Sequence, residues 1–167
     1  EDLKDYITKM ISDTVKDSCK RYLAADDPEH WDLEGLREDF GGYIFPKEWL
    51  DLKNFGEKVS RDEIEKEILD RAFKRYAESE EINTPEKMRE IERIILLREV
   101  DSHWMEHIDA MEDLKQGVSL RAYGNKNPVV EYKFESANMF DEMIEDIKYR
   151  TVRAVMVVRI VRDDQLK

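Results

Sequence analysis

Apolar residues recur at three- and four-residue steps along most of the chain, which is the pattern of amphipathic α-helices. The first stripe predicts a helix from about residue 2 to residue 24, and a shorter one predicts a second helix from about Pro28 to Phe40, ahead of two glycines. Glycine is common where a helix ends because it accepts positive φ angles. Residues 43–56, with four aromatic side chains and one proline, instead indicate an ordered loop or a short helix packed on its neighbours.

Two sequence signals mark the starts of longer helices. Ser60 followed by Glu63 is a capping box, in which each side chain satisfies a backbone N–H of the first turn, and it predicts a third helix to about residue 80. Thr84 and Pro85 form an N-cap followed by proline at the first helical position. The stripe behind them continues to about Leu120, which corresponds to a helix roughly 54 Å long at about 1.5 Å per residue.

A turn rich in glycine, asparagine and proline at residues 121–128 separates this helix from a second long one, predicted from about Val130 to about Arg162. Two long helices joined by so short a connection form an antiparallel hairpin. The pattern therefore predicts an all-α protein, in which a small helical bundle is followed by a long antiparallel helical hairpin.

The composition narrows the possible functions. The chain has 167 residues, 41% of them charged, and a net charge of −12, which argues against nucleic acid as a partner because neutralising phosphates requires a basic face. The longest apolar stretch, residues 154–158, is far shorter than the ~20 residues of a membrane-spanning helix.

Cys19 is the single cysteine and no signal peptide is visible, so we expect a reducing compartment. The chain begins with Glu1 inside a helical pattern, and we expect it to be a fragment of a larger protein.

Positive charge is concentrated at the predicted tip of the hairpin, since residues 115–133 carry four basic side chains against one acidic side chain. Loops displayed by rigid elements often supply binding contacts. The candidate contact residues are therefore Arg121, Tyr123, Asn125 and Lys126. The residues alone leave open an ordinary turn in which Tyr123 folds back onto the hairpin.

One string in the first long helix resembles a metal site. His103, Glu106 and His107 form an H-x-x-E-H pattern, in which two histidines on one helix face can hold zinc and the glutamate can act as a general base. A catalytic zinc needs a third protein ligand, and the only other histidine, His30, lies in the predicted bundle. We therefore reject the metal site and interpret the two histidines as flanking a core tryptophan.

The sequence also contains no glycine-rich phosphate loop and no G-x-S-x-G motif, so we predict that this chain is not itself an enzyme.

A longer motif resembles a known family. Residues 101–123 follow the pattern Asp-x-x-Trp-x-x-His-Ile-x-Ala-Met, then Leu-x-Gln-Gly-Val-x-Leu-Arg-x-Tyr, with Glu112 in place of an aspartate. This stretch, together with Asn127-Pro128 and residues 131–133, closely resembles the C-terminal helical part of SecA, a family of ATP-driven motors of bacterial preprotein translocation. Shorter similarities around Trp31 and Trp49 extend the resemblance over nearly the whole chain.

The resemblance implies a domain organisation and a role. Residues 1–84 resemble the helical wing domain, residues 85–162 the two-helix finger of the helical scaffold domain, and residues 163–167 the start of the C-terminal linker. In the family the finger enters the SecY channel complex and its tip tyrosine, here Tyr123, contacts the unfolded preprotein. The first finger helix restrains ATP hydrolysis in the motor core, a role that the resemblance implies for Trp104.

The same resemblance sets expectations for cofactors, partners and location. ATP and magnesium belong to motor domains that this chain lacks, so we expect no cofactor in the chain itself. The expected partners are the SecY channel, unfolded preprotein and other SecA domains, and the expected location is cytoplasmic, at the inner face of the bacterial plasma membrane. The residues alone also leave a different function open, namely that of a free-standing hairpin that self-associates through its apolar seam.

Overall fold

The computed structural model describes residues 2–56, 58–121 and 127–158, excluding the side chain of residue 121. The described residues form five α-helices and three short 3-10 turns, and the predicted all-α class is confirmed. The helices are α1 (Asp2–Tyr22), α2 (Leu33–Phe40), α3 (Arg61–Asn83), α4 (Pro85–Arg121) and α5 (Pro128–Val157). The 3-10 turns are Pro28–His30, Lys47–Trp49 and Leu52–Asn54.

The predicted second helix is divided in two. The Asp27 side chain accepts from the backbone N–H of Glu29 at 3.0 Å and starts a single 3-10 turn. The Asp32 side chain then accepts from the backbone N–H of Gly35 at 3.0 Å and starts α2. The prediction of one helix from Pro28 is wrong because two aspartates each cap a separate element.

The long helices begin where the sequence signals predict. Ser60 Oγ accepts from the backbone N–H of Glu63 at 3.2 Å at the start of α3, and Pro85 is the first residue of α4. Thr84 contributes the first carbonyl of α4, which accepts from the N–H of Met88 at 2.9 Å. The sequence did not predict the backbone conformation of Thr84, whose φ is 69° and ψ is 148°. Thr84 is the one non-glycine residue with positive φ in the part of the chain that the structure describes.

One hydrophobic core joins α1, α2 and α3, which we call the N-terminal bundle, to the open end of the α4–α5 hairpin. Phe40, Ile11 and Leu36 are fully buried in the bundle. The hairpin contributes four fully buried side chains to the same core: Met88, Val152, Val155 and Met156. Apolar packing thus anchors the open end of the hairpin in the N-terminal bundle.

The apolar stripe of α4 is only partly covered by α5. Leu114 and Val118 are buried near the tip end of the hairpin, whereas Trp104 and Ile108, in the middle of α4, are 47% and 52% exposed. These exposed side chains leave an uncovered apolar surface on one flank of the hairpin.

Cys19 is buried in the bundle, and burial, with a smaller effect from the charge of Glu65, raises the pKa of its thiol to about 12. Because the thiolate is the reactive form, we predict that iodoacetamide at pH 8 alkylates native Cys19 at least about a hundredfold more slowly than the urea-unfolded chain. Mass spectrometry of timed samples measures both rates. A cysteine introduced by Asp113→Cys, at an exposed position, serves as the fast-reacting control, and equal rates at the two sites would contradict the prediction.

Candidate functional site

The predicted tip residues lie between two well-defined helix ends. Tyr123, Asn125 and Lys126 lie outside the described residues, as does the side chain of Arg121, so their contacts stay predictions. The structure does describe the elements that present them, since α4 ends at Arg121 and α5 begins at Pro128. The two helix ends that flank the predicted tip therefore lie at the far end of the hairpin from the shared core.

Asn127 fixes the point at which the chain turns back. Its Oδ1 accepts from the backbone N–H groups of Val129 at 3.1 Å and Val130 at 3.4 Å. Pro128 follows at the first helical position, where its fixed φ suits the helix and no N–H is lost. This cap and this proline define the start of α5.

Next to the tip loop, the hairpin exposes four apolar side chains that sequence periodicity did not assign to a binding surface. We call these residues the tip collar: Leu120, Val129, Val130 and Phe134. Leu120 and Phe134 are 72% and 68% exposed. Val130 and Phe134 fit the apolar stripe of α5, yet the structure places both on the surface. Exposed apolar residues beside a short loop are a signal of an interaction surface that periodicity alone does not reveal.

Trp104 lies on a second surface, distinct from the tip. Its ring centroid is 5.6 Å from that of His107, which in turn is 6.0 Å from Phe140 of α5. Trp104 and Phe140, together with Tyr6, line an apolar groove of about 610 Å³ between α1, α4 and α5. Trp104 precedes the end of α4 by 17 residues, or about 26 Å of helix. The structure therefore does not bring Trp104 together with the tip residues.

The histidines of the H-x-x-E-H string are engaged in other contacts. His103 Nδ1 lies 2.8 Å from the backbone carbonyl oxygen of Glu99 and 3.4 Å from its carboxylate, and His107 stands in the row of rings described above. Within residues 2–56, 58–121 and 127–158, no three His, Cys, Asp or Glu side chains are grouped so that they could hold a metal ion. Among the same residues, no helix has the length and apolar content needed to cross a membrane.

A polar cluster lies where the bundle meets the hairpin. Arg89 of α4 donates to the carboxylate of Glu80 at 2.6 Å, to that of Glu92 at 2.8 Å and to the hydroxyl of Tyr76 at 3.0 Å. Lys4 of α1 donates to Glu80 at 2.8 Å. Glu92 is fully buried, which the sequence did not predict. We call these five residues the Arg89 cluster.

Comparison with known proteins places the fold in a family. The model of the SecA Wing and Scaffold domain matches residues 1–159. The chain belongs to the SecA wing and scaffold family. The SecA resemblance read from residues 101–123 is thereby confirmed.

Three relatives, each called protein translocase subunit SecA, show how much of a SecA protein this chain represents. The protein from Acetivibrio thermocellus is 42% identical over 166 residues, which are 98% of this chain and 18% of the relative. The proteins from Desulforamulus reducens and Caldicellulosiruptor saccharolyticus are 41% and 39% identical over 96% and 93% of the chain, again 18% of each relative. The chain thus spans about one fifth of the length of these SecA proteins.

Proposed function

We propose that this chain is the non-catalytic wing and finger portion of a SecA-like translocation motor. In this proposal residues 1–84 are the helical wing domain, residues 85–162 are the two-helix finger, and residues 163–167 begin the C-terminal linker. The family match over residues 1–159 and the long hairpin support the assignment.

The observation that carries the proposal is the way in which the hairpin is anchored. Four fully buried side chains fix its open end in the core, and α4 then extends for 37 residues, or about 55 Å, to the tip. Such an element can transmit movement from its base to its tip. ATP and magnesium, bound by parts of a SecA protein outside this chain, would supply the energy for that movement.

The tip residues act on the polypeptide and the channel in this proposal. Tyr123 contacts unfolded preprotein through its ring, which tolerates varied side chains, while Arg121, Asn125 and Lys126 meet polar groups at the mouth of the SecY channel. The tip collar supplies an apolar surface beside them. The protein would act in the cytoplasm, attached peripherally to the inner face of the bacterial plasma membrane.

Trp104 has a separate regulatory role in this proposal. Its half-exposed ring borders the apolar groove, so it offers a surface on which the motor core could pack and restrain ATP hydrolysis. The partners of the chain would then include other domains of the same SecA protein as well as the channel and the preprotein.

A substitution at the tip tests the proposal. In a full-length SecA protein carrying this segment, Tyr123→Ala is expected to lower preprotein translocation into membrane vesicles by at least about tenfold while basal ATP hydrolysis changes by less than about twofold, because the change removes a polypeptide contact and not a nucleotide contact. Tyr123→Phe keeps the ring and is the matched control. Equal losses of translocation and ATP hydrolysis in the alanine variant would refute the role of the tip.

The exposed flank of the hairpin supports a second candidate function, an interaction module that self-associates. Trp104, Ile108 and Phe140 are all at least 45% exposed on or beside the apolar groove. Sedimentation equilibrium of the 167-residue chain tests this function, which requires a mass that rises with concentration and returns to the monomer value in Trp104→Glu. A monomer mass at every concentration would exclude it.

A further inference from the structure

The connection between α3 and α4 consists of one residue in an unfavourable conformation. Thr84 has φ 69° and ψ 148°, a region that is essentially reserved for glycine. Threonine is β-branched, and a residue before proline favours negative φ, so both its side chain and Pro85 oppose this conformation. The Thr84 side chain is exposed, and packing of that side chain does not explain the strain.

Bonds on both sides of Thr84 hold the strained conformation. On one side, the Arg89 cluster ties Glu80 and Tyr76 of α3 to Arg89 near the start of α4. Lys4 adds a contact from α1 to Glu80, so the cluster connects three helices. Strained residues persist only where the surrounding structure fixes them, and this cluster supplies part of that restraint.

On the other side, α3 is bonded to the end of α5. Ser79 Oγ donates to the carbonyl of Met156 at 3.3 Å, and Asn83 Nδ2 donates to the carbonyl of Val158 at 3.3 Å. Met156 lies in the last turn of α5 and Val158 is its C-cap residue, so both bonds are made to the C-terminal end of α5. The last two turns of α3 are thus connected to both helices of the hairpin.

Apolar packing at the same corner opposes any opening of the joint. Met88, Val152, Val155 and Met156 have no exposed surface, and separating the bundle from the hairpin would bring all four into water. The corner therefore has the properties of a fixed joint and not those of a hinge.

We propose that the α3–α4 corner is a rigid joint in which Arg89 and Glu80 are positioning residues that hold Thr84 in its strained conformation and set the direction of the hairpin relative to the N-terminal bundle. This inference concerns the geometry of the chain alone, and it stands or falls independently of the role in translocation.

Spin-label distance measurements test the rigid joint in the 167-residue chain. One label pair, at Lys66→Cys and Asp113→Cys, spans the joint, and a second pair, at Asp113→Cys and Asn138→Cys, lies within the hairpin. All three labelled positions are exposed, and Cys19→Ala removes the native thiol. The parent protein is expected to show one narrow distance for each pair.

Substitutions at Thr84 test the backbone strain, and a substitution at Glu80 tests the restraint from the Arg89 cluster. Thr84→Gly is expected to leave the Lys66–Asp113 distance unchanged and to raise the folding equilibrium constant about tenfold, because glycine adopts this conformation without strain. Thr84→Ala retains a Cβ atom, so it is expected to leave the distance unchanged without raising the folding equilibrium constant. Glu80→Gln is expected to broaden the distance across the joint while the distance within the hairpin stays narrow.

Three results would overturn the inference: a broad parent distribution across the joint, an unchanged distribution in Glu80→Gln, or equal stabilities of Thr84→Gly and Thr84→Ala. If circular dichroism shows that Glu80→Gln has lost helix, Lys4→Met replaces it, because this change removes a more exposed bond of the same cluster. An unchanged distribution in Lys4→Met would then count against the joint in the same way.

Discussion

Replacing Arg89 with methionine is expected to lower the free energy of unfolding by about 3–5 kcal/mol, because it leaves the carboxylate of Glu92 buried without its cationic partner. Glu92 has no exposed surface, and Arg89 lies 2.8 Å from one of its oxygens. Burial makes an unpaired charge costly, since neither water nor another cation replaces the lost contact. Urea unfolding followed by circular dichroism measures the loss.

An exposed ion pair supplies the control. Arg21 lies 3.2 Å from Glu145, and the two side chains are 57% and 49% exposed, so Arg21→Met is expected to cost no more than about 1 kcal/mol. The double variant Arg89→Met with Glu92→Met is expected to be more stable than Arg89→Met alone, since it removes the uncompensated charge. A similar small cost for both arginine substitutions would show that the buried carboxylate does not depend on Arg89.

The loss at Arg89 is also expected to depend on pH. Burial alone would raise the pKa of Glu80, but hydrogen bonds from Lys4 and Arg89 outweigh burial and lower it. A lowered carboxyl pKa adds stability above the pKa of the unfolded chain, and that stability is lost as the pH falls through the folded value. The difference in stability between the parent and Arg89→Met should therefore shrink in acid. A difference that grows below pH 4 would contradict this sign.

Replacing Phe40 with alanine is expected to lower the free energy of unfolding by about 3–5 kcal/mol, because it opens a cavity in the core. Phe40 ends α2, has no exposed surface, and lies with its ring centroid 6.5 Å from that of Tyr43 in an edge-on arrangement. The same core includes the base of α5, so the hairpin should unfold together with the bundle in one transition. Thermal and urea unfolding, followed by circular dichroism, test both statements.

Phe134→Ala is the matched control for Phe40→Ala. Phe134 is 68% exposed in the tip collar, and its removal is expected to change stability by less than about 0.5 kcal/mol. Comparable losses in the two variants would mean that Phe40 does not lie in the core. Two separate transitions in Phe40→Ala would mean that the hairpin is stable without the bundle.

The helices could be predicted from the sequence because their signals are local. Ser60 and Pro85 mark the starts of α3 and α4 through contacts within a few residues, and helical periodicity then follows from apolar spacing. The prediction was less accurate where two local signals compete, as at Asp27 and Asp32, which divide one expected helix into a turn and α2.

Features that depend on distant residues could not be predicted in this way. The sequence pattern suggests that Glu92 is a surface residue of a charged helix, yet it is fully buried and its carboxylate accepts a hydrogen bond from Tyr76 of α3. The positive φ of Thr84 depends on the restraints around it and contradicts its own preference. The exposure of Phe134 was likewise not predicted, because apolar spacing alone does not determine which side chains of a stripe a neighbouring helix covers.

The bond between Lys4 and Glu80 and the bond between Asn83 and Val158 together bring both described ends of the chain to one corner of the molecule. Glu80 and Asn83 are separated by less than one helical turn, so the start of α1 and the end of α5 lie at nearly the same place. Because the joint at this corner is rigid in our proposal, a rotation of the N-terminal bundle turns the whole hairpin with it. With α4 about 55 Å long, a rotation of the bundle by about 10° would displace the far end of the hairpin by about 10 Å.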